Sequence, residues 1–171
     1  SALVSYAFVG KFGSFGTGDG QFYYPHSIAV DDNYIYVADS SAHRVQVFNK
    51  TTYAFVGKFG SYGTGNGQFN RLLGITVDDN YIYVSEGVTN VRVQIFNKST
   101  YAFVGKLGSS GSGDGQFYES IYIYEDGVYN VAVDNNFIYV TDILNYRVQI
   151  FNKTTYAFVG KFGSYGTGNG Q

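Results

Sequence analysis

The sequence contains no cysteine, no methionine and no tryptophan, and it has a single proline, Pro25. Without cysteine the chain cannot form disulfides, use a thiol nucleophile or hold zinc through thiolates. Its two histidines, His26 and His43, make a poor zinc site unless a carboxylate joins them. No Ser–His–Asp set recurs, so hydrolytic chemistry has little support. We therefore expect no catalytic residue, no metal site and no cofactor.

Charge and long apolar runs are also scarce. Charged residues make up 14% of the chain, and the formal net charge is −2. No basic face is evident, so we expect no nucleic-acid partner. No apolar run approaches the roughly 18 residues that a membrane-spanning helix needs, so we expect no membrane insertion. Hydrophobic residues nevertheless reach 44%, enough to bury a core.

Glycine, tyrosine and phenylalanine are abundant, with 23, 18 and 15 copies. This mixture favours strands and turns over helices. The segment YAFVGKFGSYGTGNGQF at residues 53–69 recurs almost unchanged, with its first tyrosine at positions 6, 53, 101 and 156. A segment that returns four times identifies an internal repeat.

Each full period of the repeat is predicted to form four short strands. In the first period these are strand A at 27–31, B at 34–39, C at 44–48 and D at 53–59. Between A and B we expect a two-residue turn, Asp32-Asn33, in which asparagine tolerates a positive φ. Strand B is apolar on both sides, as in sheets buried between neighbours. A four-stranded unit with a period of about 40–50 residues is typical of propeller blades, so the predicted fold class is all-β, a β-propeller of antiparallel four-stranded blades.

The first period carries a family resemblance. The stretch GDGQFYYPHSIAVDDNYIYVADSSAHRVQVFN, residues 18–49, resembles the NHL repeat, a β-propeller blade. The later periods depart from it: they lack the proline, Val91 and Tyr146 stand where the first period has His43, and Glu86 stands for Asp39. The resemblance implies a propeller that usually closes with about six blades. NHL propellers bind proteins or RNA or act as enzymes, so the resemblance does not select a function.

We expect residues 1–171 to form a single repeat domain. Its predicted parts are a spare D strand at 6–13, blades at 22–60, 69–108 and 117–163, and a C-terminal linker at 164–171. The chain thus has one more D strand than it has A, B or C strands, and the extra strand could complete a blade of this chain or of a neighbour. Three arrangements follow: a homodimer that closes a six-bladed ring, a fragment of a longer array, or an open polymer built by strand exchange.

An acidic and a basic residue flank the B–C loop in every period. Because the pair recurs in each blade, we interpret it as a structural cross-strand ion pair rather than a catalytic one. The pairs are Asp39–Arg44, Glu86–Arg92 and Asp142–Arg147. The glycine-rich connection at 16–20 lacks the G-K-[ST] ending and the following helix of a phosphate-binding loop. We expect it to be a flexible linker between blades.

The C–D turn of each period begins with an N-x-[ST] sequence, at Asn49, Asn97 and Asn152. These are candidate N-glycosylation sites. The alternative is that Asn, Ser and Thr occur there because they favour turns.

Loop length varies between the periods on one predicted face only. The B–C loop of the second period gains one residue, and the D–A connection of the third gains about eight, many of them tyrosine or acidic. Binding often resides in the variable loops of a rigid scaffold, and tyrosine suits a glycan or protein partner. The candidate binding face comprises His43, Asn90, Tyr118, Tyr122, Tyr124, Asn145 and Tyr146. The alternative is that the insertion forms a packed hairpin or a subunit contact.

Together these features predict a non-enzymatic scaffold for self-assembly and partner binding, structural or adhesive, at the cell surface or outside the cell. Its expected partners are other copies of itself and a glycan or protein ligand. A second hypothesis is a fragment of an NHL-type enzyme similar to lyases or lactonases, which gather histidines and carboxylates at the central channel. A third is an RNA- or protein-binding propeller module.

Overall fold

The structure of the chain is a computed structural model that describes residues 7–87, 90–120 and 127–171. It is all-β, and its principal elements are three antiparallel four-stranded sheets. A short parallel pair, β1 (Ser14–Phe15) and β2 (Gln21–Phe22), precedes the first of them. The predicted fold class, three four-stranded blades, is confirmed.

In each blade the four strands lie side by side in chain order. Blade one holds β3 (Pro25–Val30), β4 (Tyr34–Asp39), β5 (Arg44–Asn49) and β6 (Phe55–Phe59). Blade two holds β7 (Leu72–Val77), β8 (Tyr81–Glu86), β9 (Arg92–Asn97) and β10 (Phe103–Leu107). Blade three holds β11 (Val128–Val133), β12 (Phe137–Asp142), β13 (Arg147–Asn152) and β14 (Phe158–Phe162).

The turn between the first two strands of blade one differs from the prediction. Asn33 does not adopt a positive φ. Instead, Oδ1 of Asp31 accepts the backbone N–H groups of Asn33 at 2.8 Å and Tyr34 at 2.7 Å, which closes the turn through a side chain. Among the described non-glycine residues, positive φ angles occur at the tyrosine after each C–D turn, Tyr53, Tyr101 and Tyr156, and at His43 and Tyr146 in the B–C loops. Strand D therefore begins two residues later than predicted.

The first strands of the blades lie next to one another, with β7 between β3 and β11. This arrangement, inner strands at the centre and sheets radiating outward, is that of a propeller. The cores lie between blades rather than within them. One core contains Phe69, Leu72, Ile82 and Phe96 of blade two, packed on the adjoining face of blade one. The other contains Phe117 and its neighbours, between blades two and three.

Among the described residues, no further blade covers the outer face of blade one or of blade three. On blade one a small cluster of Ile35, Val37 and Phe48 is covered by Phe12 and Phe22. The segment that contains Phe12, predicted as a spare strand at 6–13, pairs with no strand within the described part of the chain. A strand needs a partner for its backbone groups, and none of the described strands supplies one to this segment.

Candidate functional site

Three ion pairs lie at the positions that the repeat predicts, where the second and third strands of each blade meet. The arginine Nε atoms lie 3.4, 2.7 and 2.7 Å from the carboxylates in the pairs Asp39–Arg44, Glu86–Arg92 and Asp142–Arg147. All six side chains are less than a tenth exposed. Each pair is buried and recurs in every blade, which supports the interpretation that it is a structural ion pair.

The arginine of each pair also holds the glycine-rich connection that enters its blade. In blade two, the Arg92 guanidinium donates to the carbonyl oxygens of Thr64, Gly65 and Gln68, each at 2.9 Å. Nε2 of Gln94 donates to the same Gln68 carbonyl at 2.8 Å. The connection is therefore anchored to strand C, and the expectation of a flexible linker does not match this bonding.

The glutamine of the R-V-Q sequence was not singled out by the sequence analysis. Its amide accepts from the loop as well: the Gly67 N–H donates to Oε1 of Gln94 at 2.9 Å. Equivalent bonds join Gly20 to Gln46 and Gly115 to Gln149. The recurrence of a polar glutamine on an otherwise apolar strand was the signal in the sequence that indicated this role.

A second set of ion pairs, also missed from the sequence, links neighbouring blades on the opposite face. Nζ of Lys98 in blade two lies 3.0 Å from Asp31 in blade one, and Nζ of Lys153 in blade three lies 2.7 Å from Asp78 in blade two. Both lysines are about four-fifths buried, so these pairs are better shielded than ordinary surface ion pairs.

Hydrogen bonding sets the charge state of these inter-blade acids. Burial opposes ionisation of Asp31, but hydrogen bonds from the Asn33 and Tyr34 N–H groups, the Lys98 ammonium and the Tyr36 hydroxyl outweigh it and lower its pKa from 3.8 to about 2. The pKa of Asp78 is lowered in the same way. Burial and the hydrogen bond to Asp31 together raise the pKa of the Tyr36 hydroxyl.

We expect the stability of the protein to fall as the pH is lowered from about 4 to about 2. A carboxylate whose pKa is lowered by folding stabilises the folded state fully above its unfolded pKa, and that contribution is lost as the pH falls through its folded pKa. Asp31→Asn keeps the Oδ1 acceptor of the turn but removes the charge. The variant should be less stable at pH 7 and should lose less stability between pH 4 and pH 2 than the unmodified chain.

Urea unfolding midpoints at several pH values measure this effect. Asp32→Asn is the matched control, because Asp32 is exposed in the same turn. If Asp31→Asn and Asp32→Asn give the same pH profile, the lowered pKa of Asp31 contributes nothing measurable to stability.

The predicted binding residues divide into two groups. Asn90 and Asn145 donate their Nδ2 groups to the carbonyls of Gly63 and Gly111, each at 3.2 Å, and so hold loops. His43 and Tyr146 occupy equivalent positions with φ of 53° and 55°, and each packs against an exposed tyrosine, Tyr62 or Tyr165. Tyr118 is partly exposed, whereas Tyr122 and Tyr124 lie outside the described residues.

The same face carries further exposed aromatic rings. They lie in the D–A connections or at the start of the inner strands: Phe15, Tyr23, Tyr24, Tyr62, Tyr129 and Tyr165. For Phe15, Tyr62 and Tyr165 the signal was the variation within the glycine-rich connection, which reads GSFGTG, GSYGTG or GSSGSG.

The asparagines of the three N-x-[ST] sequences act as turn residues. Oδ1 of Asn49 accepts the backbone N–H groups of Thr51 and Thr52, both at 2.9 Å. Asn97 and Asn152 make the same two bonds. This turn role is an alternative to glycosylation as the reason for their recurrence in every blade.

Across the described residues, no group of three histidine, cysteine, aspartate or glutamate side chains is placed to hold a metal ion. Of the two histidines, His26 shares a hydrogen bond of 2.9 Å between its Nδ1 and the Leu73 carbonyl oxygen. The same part of the chain has no helix long and apolar enough to cross a membrane.

The four-stranded sheets and their side-by-side inner strands define three blades of a β-propeller. Residues 22–48, within the first blade, match the family model described as NHL repeat, so the resemblance to NHL repeats is confirmed there. A stretch of 41 residues is 51% identical to Protein brain tumor of Drosophila melanogaster, and it covers 23% of this chain and 4% of that protein.

Solved structures are similar to the chain in fold. The chain matches glutaminyl cyclase of Myxococcus xanthus with a TM-score of 0.53 and 16% identity, over 79% of this chain and 50% of that one. It matches the RRP9 WD40 repeats with a TM-score of 0.55 and 11% identity, over 78% of this chain and 35% of that one. At these identities the likeness concerns the fold alone, and the chain spans half or less of each matched protein.

Proposed function

We propose that the chain is a non-enzymatic β-propeller scaffold that assembles with further copies of itself and presents its loop face to a partner. The observation that carries the proposal is the open outer face of blade three. There Phe162 is 58% exposed and Ile143 is 42% exposed, whereas the face of the same blade that meets blade two contributes to a buried hydrophobic core. A blade that is apolar on both faces is stabilised when a second blade covers its exposed face.

The loop face supports the second half of the proposal. The exposed aromatic side chains described above lie on a scaffold whose loops are anchored by buried arginines. Rigid aromatic rings bind protein or glycan surfaces at a low cost in conformational entropy. A protein or glycan is therefore the proposed partner class.

The enzyme hypothesis makes a distinct prediction. An NHL-type lyase or lactonase holds its metal through histidines and carboxylates at the central channel, so it would bind a stoichiometric metal ion near His26 or His43. Metal analysis of the purified protein separates this hypothesis from a scaffold. RNA binding would require salt-dependent retention of RNA by a chain whose net charge is −2.

A location at the cell surface or outside the cell is part of the proposal. The three N-x-[ST] turns support it only if they are glycosylated. Intact mass spectrometry of protein from its natural source decides this point, because unmodified Asn49, Asn97 and Asn152 would remove the support.

In solution we expect a particle with twice the 18.8 kDa mass of the chain, because two sets of three blades complete the ring of about six that NHL propellers usually form. Sedimentation equilibrium over a range of concentrations measures the mass. A mass of 18.8 kDa at every concentration would contradict self-assembly. A mass that keeps rising with concentration would replace the closed dimer with an open polymer.

A further inference from the structure

We propose that blade three of one copy docks head-to-tail on blade one of a second copy, with Asp134 paired to Lys50 of the second copy and Phe162 in the place of the second copy's Phe12. This inference rests on the proposed self-assembly and specifies the surfaces that meet.

The two inter-blade ion pairs within the chain provide the template. Each lysine follows the third strand of its blade and reaches the acid in the first turn of the preceding blade: Lys98 reaches Asp31, and Lys153 reaches Asp78. Each also donates to a backbone carbonyl of its own blade, as in the 2.8 Å bond from Lys98 to Asp78 O.

Lys50 and Asp134 are the two members of this series whose partners would lie in a further blade. Lys50 keeps the bond within its own blade, 2.8 Å from the Asp31 carbonyl oxygen. Asp134 keeps the bonds of its turn and accepts the Tyr139 hydroxyl at 2.8 Å. Among the described residues, Lys50 and the Asp134 carboxylate thus have no ion-pair partner within 4 Å. The Lys153 ammonium lies near Asp134, where it bonds the backbone carbonyl at 2.8 Å, but it forms its ion pair with Asp78.

The shapes of the two end faces match in the same register. Inside the chain, two aromatic rings of blade two lie directly on glycines of blade one. A Cβ added at Gly57 in strand β6 would fall 2.9 Å from the Tyr101 ring. A Cβ added at Gly60, just after β6, would fall 2.6 Å from the Phe69 ring. The glycine of blade three that corresponds to Gly57 is open. A Cβ at Gly160 would meet nothing within 4 Å.

At Gly163, which corresponds to Gly60, blade three has a groove of about 460 Å³. Ile143, Val148 and Phe162 line it, together with Gly170 and Gln171 of the C-terminal connection. The residues of blade one that correspond to Tyr101 and Phe69 are Tyr53 and Phe22. A second copy that docks in the internal register therefore places its Tyr53 over Gly160 and its Phe22 in the groove.

The N-terminal segment occupies the same surface in the single chain. The ring of Phe12 lies 4.9 Å from Phe48 and stacks on Tyr53 at 5.4 Å. Phe59 makes the matching contacts inside the chain, 4.7 Å from Phe96 and 5.4 Å from Tyr101. Phe12 thus makes on blade one the contacts that Phe59, in the last strand of blade one, makes on blade two.

Docking in this register brings two pairs of equivalent segments to the same places. Residues 13–21 of the second copy are held by its Arg44, so the exposed residues 163–171 of the first copy must leave the position that residues 60–68 occupy inside the chain. Of strand β14 and residues 7–13 of the second copy, one must also leave. Strand β14 is paired with β13 along its length, whereas residues 7–13 pair with no strand among those described. The N-terminal segment therefore yields its place on blade one to β14 of the other copy. Until it does so, it competes with the second copy for the same surface.

The same substitution at two equivalent phenylalanines tests the inference in the full chain. Phe162→Ser should raise the dimer dissociation constant by roughly a hundredfold, because both interfaces of the ring lose a buried aromatic ring. Phe12→Ser should leave the constant unchanged or lower it, because it weakens only the competitor. Sedimentation equilibrium measures both constants, and urea unfolding establishes that both variants are folded. An equal effect of the two substitutions, or none from Phe162→Ser, overturns the proposed register.

A double-mutant cycle on Lys50→Gln and Asp134→Asn provides the second measurement. Both substitutions retain a polar side chain, and the asparagine introduced by the second one keeps the Oδ1 acceptor of the turn. Each single change should weaken the dimer about tenfold, and the double variant should be no weaker than either single one. Additive effects overturn the ion pair. If the unmodified chain dimerises but none of these variants changes the dimer dissociation constant, the proposed docking surfaces are wrong and self-assembly stands. If the unmodified chain is a monomer, both the docking surfaces and self-assembly are wrong.

Discussion

Replacing Arg92 with leucine is expected to lower the free energy of unfolding by about 3–5 kcal/mol, as when one partner of a buried ion pair is removed. Arg92 pairs with Glu86 at 2.7 Å, and the Glu86 side chain is fully buried. It is also the donor for three carbonyl oxygens of the loop that enters blade two. The substitution therefore leaves a buried carboxylate unpaired and releases the loop.

The effect should depend on pH. Burial raises the pKa of Glu86 even with Arg92 beside it. Without Arg92 the pKa of the buried Glu86 carboxyl rises further above its value in the unfolded chain. The folded variant therefore binds a proton at Glu86 at pH values where the unfolded chain does not, and its stability rises as the pH falls. The destabilisation by Arg92→Leu should accordingly be smaller at pH 4.5 than at pH 7.

Urea denaturation of three variants measures this prediction. Lys106→Leu removes an exposed positive charge from the same blade and should change stability by no more than about 0.5 kcal/mol. Combining Arg92→Leu with Glu86→Leu should recover part of the loss, because the unpaired charge is gone. A loss for Arg92→Leu as small as that for Lys106→Leu would show that the pair and its loop contacts contribute little.

Phe69→Ala is expected to destabilise the protein by about 3–5 kcal/mol. Phe69 is fully buried in the core between blades one and two. Its ring lies 5.6 Å from Phe96 in blade two and 6.4 Å from Phe59 in blade one, so it joins the two sheets. Alanine would leave a cavity that these paired sheets cannot easily close.

Phe15→Ala is the matched control, because it is the same substitution in another D–A connection at a side chain that is 78% exposed. It should change stability by no more than about 0.5 kcal/mol. Denaturant midpoints and slopes give both values. Equal effects of the two substitutions would contradict the location of the core between the blades.

The strands were predictable because the signals that define them are local. Alternation and turn residues placed strand B at 34–39, where β4 lies, and strand C within one residue of β5. Repetition then identified the blades, since a four-stranded sheet that is apolar on both faces needs neighbours. The positions of the buried acid and arginine followed from their recurrence on either side of one loop.

What the sequence did not predict depends on contacts between distant segments. The anchoring of the glycine-rich connection requires knowing where the Arg92 side chain reaches, and the Lys98–Asp31 pair joins two different blades. The positive φ was assigned to Asn33 because asparagine tolerates it, but Asp31 forms the turn with its side chain instead. A spare strand at 6–13 was predicted because its sequence repeats that of strand D. A strand forms only where a neighbouring strand pairs with it, and residues 7–13 have no such partner among the described strands.

A crystal structure of the full chain tests most directly whether the end blades meet. The account predicts a closed ring of two copies, in which Lys50 Nζ of one copy lies within about 4 Å of the Asp134 carboxylate of the other and Phe162 is covered. A structure in which every copy leaves Phe162 facing solvent, or in which copies meet through other faces, would contradict it.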